Sequence, residues 1–174
     1  TIPARRDQLL ESQSRDGSWV HCPLITAEVL TALFDSELDL SHKAVARAIR
    51  FLRRKQAADG SWFANGVSQR TAATAKVLAA VRKVEIGRQD PLILQGADWL
   101  LANQHPGGAW SVHSSDAQND LASFSLYDTA LSVVALIDCG YQHQTSVSLG
   151  IDYLLEADTF SLEDELSEAV AVPL

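Results

Sequence analysis

Apolar residues recur along this chain at the spacing of buried helix faces, and the stretches they form are separated by glycine-containing turns. Val45, Ile49 and Leu52 stand at i, i+4 and i+7 and define one face of a helix that Ser41 is placed to cap. Arg47, Arg50, Arg53 and Arg54 fall largely off that face and give the helix a wet side. Leu94, Ala97, Leu101 and Gln104 line one side of a similar helix, opened by Asp90 as cap and Pro91 as first helical residue. A shorter version runs from Arg5 to Gln13. A partial one starts near Thr145 and runs through Ile151, Tyr153, Leu154 and Leu155. A second kind of apolar stretch begins at Thr26, Thr74 and Thr129, each followed by Ala. From Thr129 to Ile137 there is no charge, which predicts a helix buried on both sides. The chain therefore reads as outer helices with one wet face alternating with more apolar inner helices.

The turns between them repeat. Gln13-Ser14-Arg15-Asp16-Gly17-Ser18-Trp19 returns as Gln56-Ala57-Ala58-Asp59-Gly60-Ser61-Trp62 and again as Gln104-His105-Pro106-Gly107-Gly108-Ala109-Trp110. The tryptophans lie 43 and then 48 residues apart, a period that belongs to stacked supersecondary units. The pattern predicts one all-α domain over residues 1–174, with repeats at about 4–36, 41–86 and 90–140, a partial one at 144–160, and an acidic tail at 161–174. In the partial unit Asp158 stands where Gln is expected, and no Gly or Trp follows. The connection from Trp to the inner Thr lengthens along the chain, from 7 to 12 to 19 residues. The longest holds His113, Asp116, Asn119 and Asp120, and long connections on such scaffolds are either functional or merely mobile. The tail, with Glu163, Asp164, Glu165 and Glu168, reads as an acidic helical turn or as a contact with another domain.

Composition narrows the function classes. A hydrophobic fraction of 47% in 174 residues suffices for one continuous core. The net charge of −8 leaves no basic stripe for nucleic acid, and no apolar run of eighteen residues is available to span a bilayer. The absence of Met, including at position 1, and of a leading apolar segment predicts a trimmed piece of a longer, cytoplasmic product, with peripheral membrane association left open. Cys22 and Cys139 sit in different repeats and are expected to be buried free thiols. Glu28 and Lys76 hold equivalent positions in adjacent inner helices. They read either as an ion pair between them or as the lining of a substrate cavity.

Gln, a short variable stretch, Gly, any residue, Trp, following an apolar helix, resembles the QW repeat of the squalene–hopene cyclase and oxidosqualene cyclase superfamily. Residues 45–63, 96–110 and 150–155 look like successive units of the C-terminal half of squalene–hopene cyclases. The resemblance implies an (α/α) toroid, of which this chain supplies about three and a half hairpins. A second copy or a further domain would then be needed to close the barrel. In such a unit the Gln side chain bridges to backbone at its helix end and the Trp ties outer helices together, so Trp19, Trp62 and Trp110 are structural.

What the resemblance implies for chemistry is protonation of a double bond or epoxide by an Asp in an Asp-x-Asp-Asp-Thr-Ala motif at the entry of an inner helix, without cofactor or metal. The nearest match is Tyr127-Asp128-Thr129-Ala130, with Tyr127 at the donor position. Asp128 reads as a helix N-terminal residue favoured by the orphan N–H groups and dipole, or as a general acid paired with Asp116 or Asp120 in the long loop. An apolar, polyprenyl-type substrate between inner helices is one expectation, and a non-catalytic binding module using the concave face is the alternative. A further alternative is the zinc toroid of protein prenyltransferase β-subunits, but Asp128 stands where their His would be. Cys22, Cys139 and His113 do not reproduce that ligand pattern.

Overall fold

The computed structural model describes the backbone of residues 2–64, 69–111 and 124–170, and within these the side chains of residues 5–157. All regular elements among them are α-helices: α1 (Ile2–Glu11), α2 (Pro23–Asp35), α3 (Lys43–Lys55), α4 (Arg70–Lys83), α5 (Pro91–Ala102), α6 (Leu126–Cys139) and α7 (Thr145–Val170). A lone antiparallel bridge pairs Ser111 with Phe124 at the two ends of the long connection. Helices α2, α4 and α6 are the inner layer, with α4 packed against both of the others. Helices α3, α5 and α7 lie outside, each against an inner helix that neighbours it in the chain. The core runs along this double layer, through Leu30, Val45, Leu52, Leu78, Ile93, Leu100 and Leu136, all fully buried.

The repeated turn welds each unit to the next by the same set of contacts. Gln56 Nε2 donates to Gly60 O at 2.9 Å within its own turn and to Leu92 O at 3.0 Å in the first turn of α5. Gln13 and Gln104 make the equivalent pairs, to Gly17 O and Ala44 O and to Gly108 O and Ser146 O. Trp62 Nε1 reaches back to Leu52 O at 2.7 Å near the end of α3, and Trp110 Nε1 to Leu100 O at 2.8 Å near the end of α5. The backbone N–H of each Trp is satisfied by the buried inner threonine: Trp19 by Thr26, Trp62 by Thr74 and Trp110 by Thr129, each at 3.0 Å. Three buried donors would otherwise be orphaned, which explains why a hydroxyl recurs there in an apolar helix.

Glycine is required at the centre of the turn. Gly60 has φ +93°, and a Cβ there would lie 2.2 Å from Gln95 O on α5. The neighbouring Gly96 lets the Trp62 ring lie directly on α5. Asp16 and Asp59 shape their turns by accepting from the N–H and hydroxyl of Ser18 and Ser61, while in the third turn His105 Nδ1 accepts from Gly107 N.

Two local expectations are corrected. Ser41 does not cap α3: its N–H and hydroxyl are both committed to Asp39 Oδ1, at 2.8 and 2.5 Å, and the Nδ1 of His42 accepts from Ala44 N at 3.3 Å instead. The uncharged stretch of α6 is not buried on both sides, since Val134 is 54% and Ile137 38% exposed. That helix packs on α4, α5 and α7 and turns its remaining side outward. By contrast Asp90 caps α5 through Leu92 N at 2.9 Å, with Pro91 opening the helix. Three of the wet-side arginines of α3 are also structural. Arg47 and Arg54 donate to Ser14 O and Asp16 O of the preceding turn, and Arg53 grips Asp90 with two bonds at 2.8 and 2.6 Å. The backbone of the acidic tail continues α7 as far as Val170.

Candidate functional site

The inner layer presents a recess of about 390 Å³ between α2, α4 and α6, lined by Ala27, Glu28, Thr31, Lys76, Ala79 and Leu131. Small side chains on α2 and α4 make it, because Ala27 and Ala79 leave space that larger residues would fill. Glu28 and Lys76 face each other across it with Nζ 3.4 Å from Oε1, both partly exposed. They are thus an interhelix ion pair and part of the groove wall at once. Their mutual neutralisation leaves the groove apolar in net character.

Asp128 occupies a different place, in the first turn of α6, where it is 5% exposed. It does not cap its own helix. Ser125 does, accepting from Asp128 N at 3.1 Å. The Asp128 carboxylate instead faces the N–H of Ala72 in the first turn of α4, a helix whose own N-cap residue, Gln69, supplies no side-chain acceptor. One carboxylate oxygen, Oδ1, has no partner among the described residues. Burial pushes the Asp128 carboxyl above the ordinary carboxylate value, and the hydrogen bonds from Ser125 and Ala72 oppose that shift without cancelling it. The result is a secluded carboxyl that releases its proton less readily than an exposed one.

Tyr127, its neighbour, is 60% exposed on the first turn of α6, on a different side of the helix from the buried Asp128. Asp116 and Asp120 lie outside the described residues, as does His113. Glu28 and Lys76 are together at the groove, and Asp128, which does not line it, stands one turn before the groove residue Leu131 on α6. Cys22 and Cys139 are both free and buried, and burial pushes the Cys139 thiol up to about 12, which makes it inert. Among the described residues no three His, Cys, Asp or Glu side chains converge as a metal site. No helix of the described residues is long and apolar enough to cross a membrane.

Arg70 is a structural residue that no spacing along the chain singles out. Its Nε donates to Ser61 Oγ at 2.7 Å and its Nη2 pairs with Asp59, while the guanidinium stacks 4.3 Å from the Phe63 ring centroid and 5.2 Å from that of Trp99. It thereby locks the second turn onto α4 and α5. The Asp59-x-Ser61 sequence, with an acceptor left to spare, was the available signal.

A family model described as the squalene-hopene cyclase C-terminal domain matches residues 18–163. A probable squalene–hopene cyclase of Sinorhizobium fredii is 30% identical over 141 residues, covering 78% of this chain and 22% of that protein. A squalene–hopene cyclase of Bradyrhizobium diazoefficiens is 28% identical over 137 residues, 75% of this chain and 21% of its own length. A lanosterol synthase of Saccharomyces cerevisiae is 28% identical over 126 residues, 70% of this chain and 17% of its own. The chain thus spans about a fifth of the length of the curated relatives it matches.

Proposed function

Because the chain belongs to the squalene-hopene cyclase C-terminal domain family, we propose that it is a terpene-cyclase-like domain that holds an apolar polyprenyl-type substrate against the groove between its inner helices. The observation that carries this reading is the groove itself, walled by Ala27, Thr31, Ala79 and Leu131 with its one pair of charges, Glu28 and Lys76, neutralised by each other. Asp128 is the proton donor of this reading, a cytoplasmic isomerase- or lyase-type reaction that begins by protonating an alkene. A secluded carboxyl with an unbonded oxygen and a raised pKa is the kind of group that gives up a proton only to a substrate placed against it. The half ring does not complete this chemistry alone; a second copy or the remaining units of a longer protein must close the cavity and exclude water.

Incubation of the purified chain with squalene, followed by separation of free from bound hydrocarbon and analysis by gas chromatography, tests the reading. Retention of squalene without cyclised product is expected, with product appearing only when the ring is completed and disappearing again in Asp128→Asn. No retention overturns the groove assignment, and product from the chain alone overturns the need for a partner.

A second reading, a non-catalytic assembly module, is favoured by the outward apolar side chains of α6 and α7, Val134 and Leu155 among them. Under it the same face docks another domain and the purified chain retains no hydrocarbon.

A further inference from the structure

Nearly every buried hydroxyl of the inner helices has a partner. Those of Thr26, Thr74 and Thr129 accept from the backbone N–H of the three repeat tryptophans, and that of Thr71 donates to Ser111 O at 2.9 Å. Thr31 bonds back along α2 to Ala27 O at 3.1 Å, the usual outlet for a hydroxyl inside a helix. Two buried atoms of α6 depart from this. Asp128 Oδ1 and Ser132 Oγ have no hydrogen-bond partner among the described residues, so Ser132 does not bond back to the carbonyl of Asp128 either.

The two orphans belong together. They stand four residues apart on one helix, hence on one face a single turn apart, with Cβ atoms about 5–6 Å from each other. That face is enclosed: Asp128 is 5% and Ser132 0% exposed, and the buried Ala135 and Cys139 continue it along α6. It meets α4, because the Asp128 carboxylate faces the N–H of Ala72 there and the two helices pack against each other. Ala72 and Ala135 contribute only methyl groups and leave the polar pair room. A hydroxyl and a carboxylate oxygen buried without partners would each forfeit their hydration for nothing. The two oxygens do not bond to each other, and one helical turn is a spacing that a single water spans with bonds of about 2.8 Å to both.

We propose that the seam between α4 and α6 is a binding site for one enclosed water molecule, bridging Ser132 Oγ and Asp128 Oδ1. In the bridge Ser132 donates to the water and the water donates to the carboxylate, so that each bond polarises the next. The water thereby fixes the carboxylate together with the bonds from Ser125 and Ala72. Where Asp128 serves as proton donor, this water is the first neighbour of its proton, and Ser132 is a positioning residue that acts through it. Only that consequence rests on the proposed reaction; the site itself stands on the two orphaned oxygens.

Crystal structures of the 174-residue chain and of Ser132→Ala, at a resolution that places ordered water, test the site without any assay of turnover, so its failure is distinct from failure of the proposed reaction. The unaltered chain is expected to show one ordered water within about 3.2 Å of both oxygens, and Ser132→Ala to keep the fold and lose that water. A Ser132 hydroxyl bonded directly to the Asp128 carboxylate or to its carbonyl overturns the proposal, as does a protein atom filling the space between them. A water that stays unmoved in Ser132→Ala overturns the part given to Ser132. In solution, the infrared carboxyl band that Asp128→Asn removes in mild acid is expected to move to higher frequency in Ser132→Ala, as a carboxyl does on losing a hydrogen bond. A band at the same frequency in both proteins overturns the bridge, whereas a serine that only fills space would leave it there.

Discussion

Asp128 shows how burial and hydrogen bonding pull the ionisation of one carboxyl in opposite directions. Its carboxylate accepts from a neighbouring helix, yet burial raises its pKa from the ordinary 3.8. The folded protein therefore holds the proton to higher pH than the unfolded chain does. Stability from that proton is fully present below about 3.8 and declines as pH rises through the folded value. Asp128→Asn keeps an acceptor for Ala72 N–H and cannot ionise. Its melting temperature relative to the unaltered chain is expected to rise from about pH 4 to neutral pH, as followed by circular dichroism. A relative melting temperature that falls over that interval would mean the ionised carboxylate is the stabilising form. Asp90 has the opposite sign. The hydrogen bonds from Arg53 hold its carboxyl below the usual range, so what it contributes is present at neutral pH and is lost on acidification.

At the level of elements, the Gln-to-Trp turn works as a joint between successive outer helices, and its residues differ in how replaceable they are. Truncating Gln56 removes two donor contacts to backbone carbonyls, Gly60 O and Leu92 O, a loss of about 1–2 kcal/mol. A methyl group at Gly60 meets two obstacles at once. Its backbone lies in the left-handed region, worth about 1–3 kcal/mol of strain, and a Cβ would collide with backbone of α5 that cannot swing aside. Urea unfolding is therefore expected to place Gly60→Ala below Gln56→Ala in stability, with an unchanged slope for Gln56→Ala. Equal losses would show that the turn relaxes away from α5. The inner threonines belong to the same joint. Without the Thr74 hydroxyl, the Trp62 N–H is buried with no acceptor.

For the whole molecule, the consequence of stacking only these units is an outward apolar side. Val134 on α6 and Leu155 on α7 are more than half exposed, beside partly exposed Leu149 and Ile151. Apolar surface of that kind is covered by association when a partner is present. Light scattering after size exclusion is expected to give a mass above the monomer value of 18.9 kDa at high concentration, returning to that value in Val134→Asp. A monomer at every concentration would mean that the face is complementary to other units and not to itself.

The sequence by itself determined the repeat, the division into outer and inner helices, the Asp90 cap and the structural standing of the three tryptophans. The first three are written in spacing along one stretch of chain, and the standing of the tryptophans follows from the family resemblance that the repeated turn carries. Tertiary structure alone decided which atoms those signals meet. Ser41 looks like a cap until Asp39 takes its hydroxyl. Asp128 reads as a helix N-terminal residue and stands in the first turn of α6, but that Ser125 is the cap and that the carboxylate faces Ala72 of α4 emerges only when the two helices are laid side by side. The bare apolar run of α6 says that the helix is made for burial, but not on how many sides, because that depends on which neighbours are packed against it. The groove is likewise a property of packing. Thr31, Ala79 and Leu131 come from three separate helices, and nothing in local spacing brings them to one wall.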